Sequence, residues 1–354
     1  MGILQPIWDG TFVYREPVCF SADKDGRPTG GTLLYQPEEI LSVTSFDGSV
    51  FYQPVRDYTA NGRQLVRTEA SRIPYLERSV YCKPFTGVPE TAWVRLSGGK
   101  AYMEVVSDVY RWQTLVTYTH RDKWAGFQPK TCGESLPRSM EKLRAGGDFH
   151  LTLYGDSITA GWEASGCNER AIDMVTLGEY HVSLWHAPYQ PAWAELVTNA
   201  LQARYPQSNM IKTNRAAGGS TVQWGVEHAA ELVPPCKPDL IMLGFGMNSM
   251  QESAEDYRRA ILSIIRTIRK ECHDCEFVLM SPMIPNPEIK GFQNNQLPAQ
   301  QDVLYQIAAE LEGVCIAPVH SVFREMTARG KHYLELTGNC INHPNDFSVR
   351  VYAQ

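Results

Sequence analysis

A serine in this sequence stands where it could act as a nucleophile. Residues 150–162 read HLTLYGDSITAGW, and the short apolar run at their start ends at Gly155, two residues before Ser157. An apolar run of this length bounded by glycine predicts a buried strand that leaves a sheet. Ligand crevices in open α/β sheets lie beyond the carboxyl ends of the strands, and free N–H groups there can stabilise an anion. Ser157 is therefore a candidate nucleophile, although an isolated serine at such a point more often caps a helix.

Two further strand ends carry groups that could stabilise a developing oxyanion. A predicted strand at 210–214 leads into Gly218-Gly219, and one at 239–244 leads into Gly246-Met247-Asn248. A glycine N–H can approach a reacting oxygen closely, and an asparagine amide can donate a hydrogen bond to it. Taken alone, the glycine pair or Asn248 would each indicate an ordinary turn. Because parallel strands end at the same edge of a sheet, we expect Ser157, Gly219 and Asn248 to share one rim.

A histidine near the C-terminus could complete an acid–base pair with the serine. His343 precedes Pro344, which disfavours helical backbone at His343 and leaves the imidazole on a loop or at a helix N-cap. A lone histidine before proline would more often be an ordinary loop residue. Beside Ser157, however, the imidazole could act as the general base of an acyl transfer. The chain has no Gly-x-Ser-x-Gly elbow, which argues against the usual α/β-hydrolase pattern.

In this order, the four stretches resemble the sequence blocks of the SGNH (GDSL-type) hydrolase superfamily. Residues 155–159, GDSIT, match block I without departure, and His343-Pro344 resembles block V; the resemblance covers roughly residues 148–354. It implies that Ser157 is the nucleophile and His343 the general base. It also implies an oxyanion hole made of the N–H groups of Ser157 and Gly219 and the side-chain amide of Asn248. The implied activity is hydrolysis of a carboxylic ester through an acyl-enzyme, without a metal or an organic cofactor.

One position departs from the family pattern. The family usually has an aspartate three residues before the histidine, and here that residue is Cys340, which is a poor substitute for a carboxylate. We therefore favour a Ser–His dyad in which a backbone carbonyl holds the Nδ1–H group of His343. Asp346, three residues after the histidine, is the alternative third member. If His343 is a helix N-cap, Asp346 occupies the third helical position and could instead serve only the helix.

The chain of 354 residues is long enough for two domains. Residues 1–145 contain strand-like runs separated by turn signals such as Asp47-Gly48 and Asn61-Gly62, without helical periodicity. Strands are predicted at 33–35, 49–55, 64–68 and 112–120. This spacing favours an all-β sandwich of jelly-roll type. Such a domain could bind a sugar, or it could only pack against the neighbouring site and shape it.

Residues 146–354 alternate between strand and helix patterns, with a junction at 139–148. Strands are predicted at 150–154, 210–214, 239–244, 276–280 and 313–317, and helices at 191–205, 222–233, 254–271, 298–311 and 319–329. This alternation favours a mostly parallel sheet covered by helices on both faces. The family resemblance implies a three-layer α/β/α domain of the flavodoxin-like type.

A long segment, 163–190, follows the serine block and is expected to be irregular and to shape a pocket. Aromatic rings can stack on sugar rings, so four residues in and near this segment are candidate substrate contacts: Trp162, Trp185, Tyr189 and Trp224. For any one of them, packing beneath the loop is the commoner role. The two-part architecture resembles two-domain carbohydrate esterases, which implies deacetylation of plant oligosaccharides of the xylan or mannan type. The alternatives are a lipase, a thioesterase or an acyltransferase, and a carbohydrate-binding protein without catalysis.

Composition excludes several other classes of protein. The formal net charge is −6 without a basic run, which disfavours a nucleic-acid partner. No apolar stretch approaches the ~20 residues that cross a bilayer, which disfavours a membrane partner. Nine cysteines cannot all pair, and no basic and apolar leader precedes Asp9, so we expect a reduced, cytoplasmic setting. Cys272 and Cys275 lack the second cysteine pair of a zinc site, so no metal is expected.

Overall fold

The computed structural model describes residues 3–87, 94–97, 101–103 and 108–354. The region up to His120 consists mainly of strands, with one helical turn, α1 (Arg78–Tyr81), and one 3-10 turn, Val109–Trp112. Its strands are β1 (Phe12–Ala22), β2 (Pro28–Thr29), β3 (Pro37–Ser45), β4 (Tyr58–Asn61), β5 (Gln64–Arg67), β6 (Tyr75–Leu76), β7 (Cys82–Pro84), β8 (Ala101–Met103) and β9 (Gln113–His120).

The principal sheet of this region has the order β2-β1-β9-β3, and its pairs are antiparallel. Strand β6 adds to β1 in parallel, and β4–β5 and β7–β8 form separate two-stranded antiparallel ladders. The predicted antiparallel, β-rich character of the region is therefore confirmed. A jelly roll is a narrower topology that these pairings do not establish, and it stays a prediction.

Two of the four strands predicted in this region are wrong. Residues 33–35 are fully buried, but the N–H groups of Leu34 and Tyr35 bind side chains, those of Glu16 and Tyr118, instead of a neighbouring strand. The apolar run there indicated burial and not strand pairing. Residues 49–55 make only isolated bridges, and Phe51 and Val55 are exposed. The predictions at 64–68 and 112–120 correspond to β5 and β9.

The rest of the chain alternates between helices and strands, as predicted. Its helices are α2 (Pro137–Ala145), α3 (Trp193–Arg204), α4 (Val222–Leu232), α5 (Ala254–Arg269), α6 (Leu297–Glu310), α7 (Val319–Ala328), α8 (Tyr333–Leu336) and α9 (Asp346–Ala353). Its strands are β10 (Gly147–Gly155), β11 (Asn168–Ile172), β12 (Glu179–Ser183), β13 (Ser208–Asn214), β14 (Leu240–Gly244), β15 (Glu276–Met280) and β16 (Val314–Ala317). Three 3-10 turns lie at Gly133–Ser135, Pro234–Cys236 and Met247–Ser249.

Five of these strands form one parallel sheet in the order β13-β10-β14-β15-β16. All five strands and all five helices predicted beyond residue 146 are present, shifted by at most a few residues. The order is that of a flavodoxin-like fold, which confirms the predicted fold class of this region. The segment 163–190, predicted to be irregular, instead contains the antiparallel hairpin of β11 and β12. The predicted junction is occupied by α2, which ends at Ala145 just before β10 begins.

Helices cover both faces of the parallel sheet because alternate strand residues point to opposite sides. Ile241 and Leu243 belong to a buried cluster with α4, α5 and α6, whereas Leu240 and Met242 belong to one with α3, α7 and α9. The isoleucine stripe of α5 is buried as its spacing predicts. The second cluster also contains Val18 and other side chains of the β-rich region, so one core is continuous across the predicted boundary at 145–146.

Buried polar contacts also join the β-rich region to the segment that carries His343. Gln113 in β9 donates from Nε2 to the carbonyl oxygens of Leu334 and Thr337, both at 2.8 Å. Its Oε1 accepts from the amide of Asn345 at 3.1 Å. The four residues involved are buried, so each bond satisfies polar groups that would otherwise be costly to bury. The β-rich region thus positions the backbone on both sides of His343.

Three further observations concern disulfides, membrane spans and metal sites. All nine cysteines are free thiols. Within the described ranges, no helix is both long and apolar enough to cross a membrane. No group of three or more histidine, cysteine, aspartate or glutamate side chains in that same part of the chain could hold a metal ion.

Candidate active site

Ser157 lies in the tight turn that follows β10, and its neighbour Asp156 organises that turn. The Oδ1 atom of Asp156 accepts from the N–H groups of Ile158 and Thr159, at 3.0 and 3.4 Å. Burial raises the pKa of Asp156 to about 6. Because Asp156 binds these N–H groups, the Ser157 hydroxyl is not needed as a cap. It points instead to the imidazole of His343, with 2.8 Å between Ser157 Oγ and His343 Nε2.

His343 sits on a loop that a single asparagine side chain shapes. The Oδ1 atom of Asn339 accepts from the N–H groups of Ile341, Asn342 and His343, at 2.9 to 3.1 Å. The carbonyl oxygen of His343 accepts from Gly338 N–H at 2.9 Å, which closes the loop. The following helix, α9, is capped by Asn345, so His343 is not its N-cap and Asp346 is its first residue. The loop alternative of the sequence analysis is the one observed.

Asp346 is not the third member that was considered as an alternative. Its two carboxylate oxygens accept from the N–H and Oγ of Ser165, at 2.8 and 2.7 Å, and it is fully buried there. Asp346 therefore ties the 163–190 segment to α9 and makes no contact with His343. The favoured backbone carbonyl is also absent: within the described residues, His343 Nδ1 has no hydrogen-bond partner. The side chain beside Nδ1 is Glu163, whose Oε1 lies 3.6 Å away.

The oxyanion groups expected after β13 and β14 lie around the same cleft as Ser157 and His343. Gly219 has φ +79°, a left-handed backbone conformation that favours glycine. A Cβ atom there would come no closer than 3.7 Å to another atom, so conformation and not space requires the glycine. Among the described residues, the N–H groups of Ser157 and Gly219 donate to no protein acceptor. Asn248 donates one N–H to the Ser220 carbonyl at 3.0 Å, which leaves its second amide hydrogen for a ligand.

We expect Asn248→Ala to lower kcat by about 10²–10³ with little change in KM. Removal of one oxyanion-hole donor costs this much in a serine hydrolase because the bond forms mainly in the transition state. Steady-state hydrolysis of p-nitrophenyl acetate measures the effect. Asn209→Ala is a matched control, since Asn209 is exposed and lies near the other end of β13. A fall in kcat of less than about threefold would show that Asn248 is not a donor of the oxyanion hole.

The cleft has a volume of about 780 Å³ and is lined by both regions of the chain. Besides Ser157, Glu163, Gly219, Asn248 and His343, its lining contains Val94, Arg95, Trp162, Gly218, Ile289, Lys290, Phe292, Asn339, Ile341 and Asn342. Val94 and Arg95 come from the β-rich region, which therefore contributes to the wall of the site. This volume lies within the usual range of small-molecule sites.

Of the four aromatic residues considered as substrate contacts, the structure brings Trp162 into the cleft. Its indole meets the imidazole of His343 edge to face, with 5.7 Å between ring centroids. Trp185 and Tyr189 form a pair on the surface, 62% and 49% exposed, outside this lining. Trp224 also lies outside it, where it donates from Nε1 to the Met174 carbonyl at 3.2 Å.

The arrangement can carry out acyl transfer. A hydroxyl bonded to an imidazole, with free N–H donors facing the same cleft, is the chemical set of a serine hydrolase. Sequence reasoning missed Glu163, which lies in the segment directly after the serine turn. Two signals were available for it: the lost aspartate at Cys340, and a carboxylate six residues after Ser157 on the same rim.

The C-terminal part of the chain matches a known protein family. A family model described as GDSL-like Lipase/Acylhydrolase family matches residues 153–347, more than half of the chain. No curated protein matches the chain.

Several solved structures are similar in part. A two-domain esterase active on acetylated mannans, co-crystallised with mannopentaose, has a TM-score of 0.48 and 20% identity, over 64% of this chain and 53% of that one. This chain thus spans about half of that protein's length. An acetylxylan esterase from Geobacillus stearothermophilus has a TM-score of 0.45 and 20% identity, over 59% of this chain and 93% of that one. An α/β hydrolase from the metagenome of Lake Arreo, Spain, has a TM-score of 0.44 and 20% identity, over 60% and 94%.

Proposed function

This chain belongs to the GDSL-like lipase/acylhydrolase family, a family of carboxylic ester hydrolases. From that premise we propose that it is a serine esterase that removes O-acetyl groups from plant-derived oligosaccharides. The observation that carries the proposal is the 2.8 Å contact between Ser157 Oγ and His343 Nε2 in a cleft shared with Gly219 and Asn248. The oligosaccharide part follows from the resemblance to two-domain carbohydrate esterases of the xylan and mannan type.

In the proposed mechanism, His343 Nε2 takes the hydroxyl proton as Ser157 Oγ attacks the ester carbonyl carbon. The tetrahedral oxyanion accepts hydrogen bonds from the N–H groups of Ser157 and Gly219 and from the amide of Asn248. His343 then donates the proton to the leaving sugar oxygen, which leaves an acetyl ester on Ser157. Water attacks this ester with His343 again as base, and acetate is released. The step needs no metal or organic cofactor.

Trp162 supports a preference for short acyl groups. Its indole packs against the imidazole of His343 and also against the backbone beside the oxyanion glycine. A Cβ atom on Gly218 would lie 2.7 Å from Cζ2 and Cη2 of Trp162, so the indole is in van der Waals contact with this glycine. The ring therefore closes the cleft next to the nucleophile. An acetyl group fits such a boundary better than a long chain does.

We expect wild-type kcat/KM to be at least about 10²-fold higher for p-nitrophenyl acetate than for the octanoate, because each poorly placed methylene costs about 1–3 kcal/mol. Trp162→Ala should lower this ratio by about tenfold or more, since it removes the wall, whereas Trp162→Phe should largely preserve it. Trp185→Ala should leave the ratio unchanged. A wild-type preference for the octanoate would favour a lipase or thioesterase.

The substrate is tested by acetate release from acetylated manno- and xylo-oligosaccharides. Faster release from these than from a non-carbohydrate acetyl ester of equal leaving-group basicity would support the oligosaccharide assignment. Binding of the same glycans without release of acetate, or of any acyl group from model esters, would show a carbohydrate-binding protein instead.

A further inference from the structure

The Nδ1 side of His343 has an acidic neighbour that the family pattern does not anticipate. Within the described residues this nitrogen is buried without a hydrogen-bond partner, yet Glu163 Oε1 lies 3.6 Å from it. That distance is within ion-pair range but longer than a hydrogen bond. Catalytic hydrogen bonds are often long in a free enzyme and shorten when substrate or charge arrives. Both side chains are largely shielded, at 18% exposed for Glu163 and 12% for His343, so an ionic contact between them is only partly screened.

The backbone is arranged to bring Glu163 to this point. Glu163 has φ +69°, a left-handed conformation that is unfavourable for a residue other than glycine and that persists where the surroundings impose it. The loop of His343 makes room for it at Gly338. A Cβ atom there would lie 2.8 Å from Glu163 Cβ, closer than such atoms approach, so a larger residue would push the two segments apart. The left-handed backbone of Glu163 and the small size of Gly338 thus both serve to place the Glu163 carboxylate beside the His343 loop.

The position that the family uses for its acid has a different role in this chain. Cys340 is fully buried in an apolar cluster that includes Cys19, Leu76 and Leu334, and so joins the β-rich region to the His343 loop. Burial raises the pKa of the Cys340 thiol, which therefore stays neutral. An aspartate there would be buried among apolar side chains at high cost. In this chain position 340 is used for packing of the two regions, and the carboxylate beside Nδ1 comes from the segment after the serine turn.

We propose that Glu163 is the positioning residue of the catalytic histidine, in a Ser157–His343–Glu163 triad. This inference rests on the proposed esterase function. The carboxylate accepts a hydrogen bond from the Nδ1–H group of His343. This bond fixes the tautomer that leaves Nε2 free to take the Ser157 proton. When Nε2 is protonated, the imidazolium gains a negative partner, and the contact shortens to hydrogen-bond length. Glu163 itself neither gains nor loses a proton in the cycle.

The test compares wild type with Glu163→Gln, which keeps the shape and removes the charge, and with Glu163→Asp, which keeps the charge. Asp173→Asn is the matched control, because it removes a charge from the same segment outside the cleft. We expect Glu163→Gln to lower kcat by about 10²–10⁴-fold, the upper end being roughly the loss that follows removal of the triad acid in other serine hydrolases. Melting temperature and KM should change little. Glu163→Asp should recover at least tenfold of this loss, and Asp173→Asn should match wild type.

The conservative variant separates positioning from a merely structural role. Glu163→Asp keeps a carboxylate beside Nδ1 of His343, whereas Glu163→Gln keeps only the shape of the side chain. Recovery of kcat in Glu163→Asp but not in Glu163→Gln therefore depends on the charge. A kcat for Glu163→Gln within threefold of wild type, or no recovery of kcat in Glu163→Asp, would overturn the proposal.

A second readout does not depend on the substrate. The rate at which a fluorophosphonate labels Ser157 reports nucleophile activation and should fall in Glu163→Gln in parallel with kcat. If wild type is labelled but hydrolyses no acetyl ester, the proposed function fails, and the labelling rates still decide the role of Glu163. Equal labelling of wild type and Glu163→Gln overturns that role, as does an unlabelled wild type.

Discussion

Replacement of Ser157 by alanine should lower kcat for p-nitrophenyl acetate by about 10⁵–10⁶-fold, the loss found when a serine hydrolase loses its nucleophile. The reason is that, among the described residues that line the cleft, Ser157 carries the hydroxyl that lies against an imidazole, with 2.8 Å between its Oγ and His343 Nε2. The residual rate would come from the oxyanion donors alone. Steady-state kinetics with purified protein gives the measurement, and mass spectrometry of an acetylated intermediate on wild type but not on Ser157→Ala adds a direct one.

The matched control for this variant is Ser183→Ala, because Ser183 is exposed on β12 outside the cleft. It should retain wild-type kcat. Thermal unfolding should be similar for all three proteins, since within the described part of the chain the Ser157 side chain has a single hydrogen bond to lose. Turnover by Ser157→Ala within tenfold of wild type would show that Ser157 is not the nucleophile and that the acyl-enzyme mechanism is wrong.

The largest effect on stability is expected from Lys331→Met, which should lower the free energy of unfolding by about 3–5 kcal/mol. The Lys331 side chain is fully buried between two equally buried carboxylates, 3.0 Å from Glu16 Oε1 and 3.3 Å from Glu335 Oε2. Burial opposes its charge, but the two carboxylates raise the pKa of Lys331 overall. Methionine has a similar volume and no charge, so the substitution leaves two carboxylates facing each other without a cation.

This cluster joins the two regions of the chain, which gives the prediction a functional consequence. Lys331 Nζ also donates to the carbonyl oxygens of Pro17 and Thr32, at 2.6 and 3.0 Å. Glu335 Oε1 accepts from the N–H groups of Cys19 and Gly31, at 3.1 and 2.9 Å. These bonds attach strand β1 and the segment after β2 to Lys331 and helix α8, which leads into the His343 loop. Loss of the cation should therefore lower activity at temperatures where wild type is stable.

Urea unfolding followed by intrinsic fluorescence measures the stability change. The control is Arg259→Ala, since Arg259 forms exposed ion pairs with Glu255 and Asp256 on α5. Exposed pairs of this kind contribute at most about 1 kcal/mol. If Lys331→Met destabilised no more than Arg259→Ala, the buried cluster would not be what holds the two regions together.

Several features of this protein follow from the sequence alone. All five strands of the parallel sheet were predicted because each is a short apolar run between turn signals. Where such runs alternate with helices, few structures other than a buried strand fit them. Helix α5, predicted at 254–271, begins after the N-cap residue Ser253 and carries a buried isoleucine stripe, and both are local properties of one segment. The placement of Ser157, Gly219 and Asn248 on one rim follows from the same pattern, because all parallel strands end at the same edge. His343 was identified by its family block and its proline.

What the sequence did not determine depends on contacts between distant segments. Strand β1 was missed because its charged and proline residues, Arg15 to Pro17, disturb the alternation, and its burial depends on partners about 100 residues later. Asp346 and Glu163 could not be ranked as partners of His343, since chain distance favours Asp346 and only the folded backbone shows that Asp346 binds Ser165. Local patterns encode strands, helices and the edge where they end. Which segment supplies the acid beside the imidazole is decided by how loops from different strands pack, and only the tertiary structure contains that information.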